Sequence, residues 1–185
     1  MKLKINDQIP DTEVYQLVNG EPKKSQLIDI LGKDKIVLFG LPGAFTSTCS
    51  KLHLPGFVAN AENIKAKGIK DIFCLSVNDP YVMNAWGEVN NIGNKIKMLS
   101  DPYLLFTKAI GAEVDRNAKG MGIRSNRYAM VIENLKILNV QVEKETKLCG
   151  LSSAETILDI PVSYTHLRAH ETKANLVCRL VLEKK

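Results

Sequence analysis

The stretch Ile36-Val37-Leu38-Phe39-Gly40-Leu41-Pro42-Gly43-Ala44-Phe45-Thr46-Ser47-Thr48-Cys49 passes from an unbroken apolar run, through a loop bearing Pro and Gly, to a single cysteine. Ile36 to Phe39 are continuously hydrophobic, as a strand covered on both faces must be. Leu41 to Thr48 reads as a loop. An amphipathic helical pattern follows, with Phe57, Ala61 and Ile64 on one face and Gly68 as its stop. Cys49 therefore falls at a strand-to-helix junction. Open α/β sheets place reactive groups at the carboxyl ends of their strands, and a cysteine in a first helical turn meets unpaired N–H groups and the positive end of the helix dipole. Such surroundings favour a thiolate. Taken alone, though, a lone cysteine is more often a small core residue, so its neighbours must decide.

Outward from this junction the chain alternates. A hairpin is expected to turn at Asn19-Gly20, after Val14, Tyr15, Leu17 and Val18. Asp71 to Val77 reads as a second buried strand, and Ile96 to Leu99 as a short one. Asp79-Pro80 and Asp101-Pro102 each pair an N-cap acceptor with Pro at the first helical position, so helices should begin there. The first carries Val82, Ala85 and Trp86 on its apolar face; the second carries Leu104, Leu105 and Ile110 and stops at Gly111. After a polar loop, Tyr128 to Ile132 and Ile137 to Val142 form a hairpin, and Ser152-Ser153-Ala154-Glu155 fits a capping box opening a last helix through Ile160. This pattern describes an α/β domain of thioredoxin-like layout, a mixed central sheet flanked by helices, over residues 1–160.

A chain of 185 residues with 45% apolar content is long enough to bury one ordinary core. Its first residues, MKLKINDQIPDTEVY, have neither a signal-peptide core nor a transit-peptide composition, and no stretch is apolar over membrane-spanning length. A cytoplasmic protein is expected, or an organellar one if a transit peptide precedes the segment. The formal charge of +5 is uneven: residues 161–185 hold five Lys/Arg against two Glu, a net +3, leaving +2 elsewhere with signs interspersed. No basic run is lined by aromatics, which argues against nucleic acid. Cys49, Cys74, Cys149 and Cys178 are too few and too scattered for a disulfide scaffold, and none forms a zinc spacing. Residues 161–185 show no clear period. They read either as a flexible or helical extension or as translated vector or adapter sequence fused to a truncated frame, and carry no functional argument.

The spacing of Pro42, Thr46 and Cys49 matches P-x-x-x-T-x-x-C, the active-site signature of the peroxiredoxins, and the chain resembles that family. The strings PGAFTSTCSKLHLPGFV (42–58), CLSVNDPYVMNAWG (74–87) and NRYAMVIEN (126–134) resemble its peroxiredoxin-5 group, including the plant type II enzymes, over roughly residues 1–160. Ser47 departs from the Pro that many members carry there, and Asn134-Leu135 stands where a Gly is expected. The resemblance implies a thiol peroxidase that reduces hydrogen peroxide or organic hydroperoxides through a sulfenic acid on Cys49, with Thr46, Pro42 and Arg127 completing the site. It implies thioredoxin or glutathione with glutaredoxin as reductant, a homodimer, and no metal, haem or flavin.

Each residue has a physical task in that chemistry. The Thr46 hydroxyl and the Cys49 N–H are the expected local donors to the peroxide. Pro42 should pack over the sulfur and exclude water, and Arg127 should bring a permanent cation with a planar fork of donors. Arg124 is the rival cation, set aside because the family's arginine directly precedes the aromatic strand residue. His53 could share the helical face of Cys49, but no third ligand is near, so a supporting role is favoured over a metal site. Pro55-Gly56 should break or kink the helix. For resolution of the sulfenic acid three options stand: Cys149, whose position resembles the resolving cysteine of atypical two-cysteine members, is preferred to Cys74 and to an external thiol. Two rival functions are a disulfide oxidoreductase, which would normally need C-x-x-C where this chain has Cys49-Ser50-Lys51-Leu52, and an idle thioredoxin-like interaction domain, which would not need the four site residues together.

Overall fold

The computed structural model describes residues 1–160; the expectation for 161–185 lies outside them. Nine strands and five α-helices follow in chain order: β1 (Glu13–Val18), β2 (Glu21–Gln26), α1 (Leu27–Leu31), β3 (Ile36–Gly40), α2 (Leu54–Ala66), β4 (Asp71–Ser76), α3 (Pro80–Val89), β5 (Lys97–Ser100), α4 (Leu105–Ala109), β6 (Glu113–Asp115), β7 (Ile123–Ser125), β8 (Tyr128–Glu133), β9 (Lys136–Val142) and α5 (Ala154–Asp159). Seven of the strands form one sheet in the order β2-β1-β5-β4-β3-β8-β9, and β6 pairs with β7 alone. β3, β4 and β5 are parallel, whereas β8 runs antiparallel to β3. This is the expected mixed sheet. Among the described residues no helix is long and apolar enough to cross a membrane.

Every residue of β3 is buried, because it lies between β4 and β8 with helices on both faces. Its side chains alternate: Val37 and Phe39 enter the core shared with α2, α3 and α5, while Ile36 and Leu38 enter the one shared with α1 and α4. On the first face Phe39 stacks on Phe57 of α2, with ring centroids 4.1 Å apart. Full burial of such a side chain contributes about 1.5–3 kcal/mol, which anchors α2 beneath the site. Gly40 ends β3 where the Tyr128 ring passes so close that a Cβ would fall 2.2 Å from it. Nothing larger than glycine fits there.

The hairpin at Asn19-Gly20 is present, with both residues at positive φ as a tight hairpin turn requires. Asn134-Leu135 turns β8 into β9 in the same way, Leu135 standing at φ 61° without a glycine's freedom. Asp79 caps α3 by accepting from the Val82 N–H at 3.0 Å.

Several local expectations shift. α4 begins at Leu105, not at Pro102, because Asp101 is buried and accepts from the N–H groups of Phe106 and Thr107, while Leu104 turns left-handed at φ 58°. On α3 it is Met83, not Ala85, that packs inward with Trp86. The cap of α5 is Ser153 rather than Ser152, and Glu155 accepts from Asn60 instead of closing a capping box. The polar loop before β8 contains the β6-β7 ribbon, whose short strands have no apolar period to announce them.

Candidate active site

Leu41 to Thr46 crosses the carboxyl edge of the sheet, and helical geometry begins at Ser47, with the Ser50 N–H donating to the Thr46 carbonyl at 2.9 Å. Cys49 thus sits in a first turn, as the sequence implies. The turn Cys49–His53 then widens to a π-helix, the Leu54 N–H reaching back to the Cys49 carbonyl. Pro55 supplies the reason: it has no N–H to give the Lys51 carbonyl, and the wide turn ahead of it takes up the mismatch that would otherwise kink the helix.

Cys49 is fully buried, as is Arg127 just before β8. One Arg127 Nη2 donates both to Cys49 Sγ at 3.2 Å and to the Thr146 carbonyl at 3.0 Å. Nη1 donates to His53 Nδ1 at 2.9 Å. His53 Nε2 lies 2.9 Å from the Ser152 carbonyl, which can only accept, so Nε2 carries the proton and Nδ1 takes the arginine's. The imidazole is held neutral. Burial first, and the Arg127 cation second, lower its pKa to about 3, only partly opposed by the Ser152 carbonyl. Arg127 Nε is buried with no acceptor among the described residues, a spare donor on the guanidinium that holds the thiol.

The Thr46 hydroxyl donates to the Gly43 carbonyl at 2.8 Å. With its proton so engaged, the oxygen is left as an acceptor on a residue that lines the cleft, the reverse of the donor expected from the sequence. Pro42 is buried and lines the mouth of a cleft of about 340 Å³ together with Thr46, Arg127 and Thr146. Arg124 does not reach the sulfur: its Nε donates to the Met121 carbonyl at 2.7 Å and its Nη1 lies 3.5 Å from Asn78 Oδ1. That same Asn78 oxygen accepts from the Ala44 N–H at 2.9 Å, so Arg124 braces the loop preceding Cys49.

Of the remaining thiols, Cys74 is fully buried in β4 and burial pushes its pKa well up. Cys149 is half-buried in the segment joining β9 to α5, its thiol also raised by burial, with the Arg127 cation opposing. That segment is bonded both to the site and within itself. Thr146 takes its bond from Arg127, the Thr48 hydroxyl donates to the Lys147 carbonyl, and Glu143 accepts from the Gly150 N–H at 2.7 Å, the Ser152 N–H at 2.9 Å and the Ser152 hydroxyl at 3.0 Å. Glu143 is only 3% exposed. Nothing in Gln141-Val142-Glu143-Lys144 distinguishes it from a solvated strand-end charge, and sequence reading missed it.

A buried thiol that accepts from a permanent cation, itself lining a cleft, suits nucleophilic sulfur chemistry, and on a thioredoxin-like sheet that chemistry belongs to the cysteine-dependent redox enzymes. Comparison with known proteins narrows the class. The family model described as Redoxin matches residues 4–158. Peroxiredoxin-2C of Oryza sativa subsp. japonica is 43% identical over 156 residues, covering 83% of this chain and 95% of that one. Among solved structures, reduced Prx3 of Vibrio vulnificus in complex with hydrogen peroxide superposes with a TM-score of 0.80 at 42% identity, covering 84% of this chain and 97% of that one. Peroxiredoxin 5 of Alvinella pompejana gives 0.70 at 37%, over 77% and 90%. The chain belongs to the redoxin family and, within it, to the peroxiredoxins, thiol peroxidases that reduce peroxides.

Proposed function

We propose that Cys49 is the peroxidatic residue and that the reaction runs through its sulfenic acid. The observation that carries this reading is the 3.2 Å bond to Cys49 Sγ from Nη2 of Arg127, which lines the cleft. The thiolate attacks one peroxide oxygen, the O–O bond breaks, and the departing oxygen leaves as water or alcohol after taking a proton, while sulfur becomes the sulfenic acid. Arg127 holds the sulfur and its spare Nε–H suits the departing oxygen. Thr46 accepts from the peroxide hydroxyl and so orients it, and Pro42 closes one side against water.

Cys149 then condenses with the sulfenic acid, giving a Cys49–Cys149 disulfide and one water. Exposure and tethering support Cys149 over Cys74: the former rides on a surface segment already fastened to the site, whereas the latter lies inside a central strand paired on both sides. Two equivalents of external thiol, from thioredoxin or from glutathione with glutaredoxin, restore both cysteines. Peptide mapping after one equivalent of hydrogen peroxide is expected to find the Cys49–Cys149 bridge, and Cys49→Ser should consume no peroxide with dithiothreitol. A Cys49–Cys74 bridge, or a stable sulfenic acid beside free Cys74 and Cys149 thiols, defeats the resolving assignment. Residual turnover in Cys49→Ser defeats the peroxidatic one.

A further inference from the structure

The cleft lined by Pro42, Thr46 and Arg127 continues into a second one of about 410 Å³, and the two share Arg116, Lys119, Thr146 and Lys147. Lys144 and Glu145 line the outer part, Arg127 the inner. Counted together, the groove holds five cationic side chains against one carboxylate, and Glu145 is already paired with Lys147 at 2.9 Å. Residues 1–160 as a whole carry only 20 Lys/Arg against 18 Asp/Glu, so a net +4 is concentrated in one groove of a nearly neutral domain. Arg116 Nε is buried and has no acceptor among the described residues. Val114 and Met121 add apolar wall between the charges. Hydrogen peroxide needs none of this volume.

We propose that this groove is a carboxylate-binding subsite, in which Arg116 and Lys119 hold the anionic end of an organic hydroperoxide whose peroxide group lies on Cys49. A carboxylate pairs well with a guanidinium fork, and a groove lined by one sign of charge raises the local concentration and the association rate of the opposite sign. The occupant is an oxidant rather than an anionic thiol for a structural reason, which rests on the resolving role proposed for Cys149. Lys144 and Lys147 belong to the segment held by Arg127 and Thr48, so the groove is complete only while that segment is docked. Docked is the reduced state, the one that meets peroxide. Drawing Cys149 to Cys49 moves the segment and dismantles the outer groove before any reductant arrives. The product is the corresponding hydroxy acid, with the O–O bond cleaved as above.

The test measures Cys49 oxidation by stopped flow, read from the single tryptophan, Trp86, whose Nε1 donates to the Ser50 hydroxyl at 3.0 Å beside Cys49. Linoleic acid hydroperoxide and its methyl ester are compared below their micellar concentrations, in wild type and in Arg116→Gln/Lys119→Gln. The acid should react roughly tenfold faster than the ester at low salt. That ratio should fall towards one in the double variant, and in wild type as salt rises. Because it is taken within each protein, a general loss of activity cancels, and the salt series needs no variant. A wild-type ratio near one, or an equal ratio in both proteins, overturns the proposal. So does discrimination that appears only in recycling, between glutathione and its ethyl ester, since the groove would then serve the reductant. Failure of Cys49 to react even with hydrogen peroxide would instead sink the peroxidatic reading, and this inference with it.

Discussion

Acidification should destabilise this protein through His53, and the size of the effect follows from its surroundings. An unfolded imidazole titrates near 6.5, whereas in the folded chain burial and the Arg127 cation lower the value to about 3. Between those two values the unfolded state holds one proton more than the folded one, so stability is lost as pH falls from 6.5 towards 3. The slope is about 1.4 kcal/mol per pH unit, and going from pH 7 to pH 5 therefore costs about 2 kcal/mol. That is a sizeable share of the 5–15 kcal/mol typical of a domain. Asp101 acts in the opposite sense, since burial raises its pKa and its contribution grows as pH falls. Its partners are Phe106 and Thr107, remote from the His53 network, so it cancels in a comparison of two proteins that both carry it. The assay is urea unfolding of reduced wild type and His53→Gln at pH 7, 6 and 5. The midpoint of wild type should drop by about 1 M more than that of the variant. The variant's lower absolute stability is immaterial, because only the slope is read. Equal slopes would show that His53 is not held neutral in the folded state, and the Arg127–His53–Ser152 bond assignment would fall with it.

Three further outcomes are expected. Arg127→Gln should slow Cys49 oxidation by hydrogen peroxide about 10- to 100-fold, the kinetic equivalent of losing one charge-assisted hydrogen bond; an unchanged rate removes Arg127 from the site. Glu143→Gln should raise hydrogen exchange of the Gly150 and Ser152 amides about tenfold or more and speed formation of the Cys49–Cys149 disulfide, whereas unaltered protection would mean the carboxylate does not hold the segment. Deletion from Pro161 onward should leave the thermal midpoint within a few degrees, because the described residues already supply the sheet and two buried hydrophobic clusters; cooperative loss of folding would place a native element in the removed part.

What the sequence disclosed and what it hid divide along one physical line. β3, the Asn19-Gly20 turn and the Asp79 cap are set by residues within a few positions of one another, and all three were readable. Asp101-Pro102 looked like the same signal, yet the carboxylate reaches five and six residues ahead, and α4 starts late. The site lies at the far end of this scale. Arg127 meets Cys49 across 78 positions and His53 across 74, and His53 meets Ser152 across 99. No periodicity encodes such pairs, and only the family resemblance singled out Arg127, while Glu143 had no signal at all. The bonds that escape sequence reading are also those that make the site act as a unit. One guanidinium serves the sulfur, an imidazole and the Thr146 carbonyl together, so moving any one of them leaves a buried donor or acceptor unpaired at a cost of about 1–3 kcal/mol. Oxidation of Cys49 changes the first of these partners. A change there reaches, through Arg127, the Thr146 carbonyl and so the segment on which Cys149 is carried.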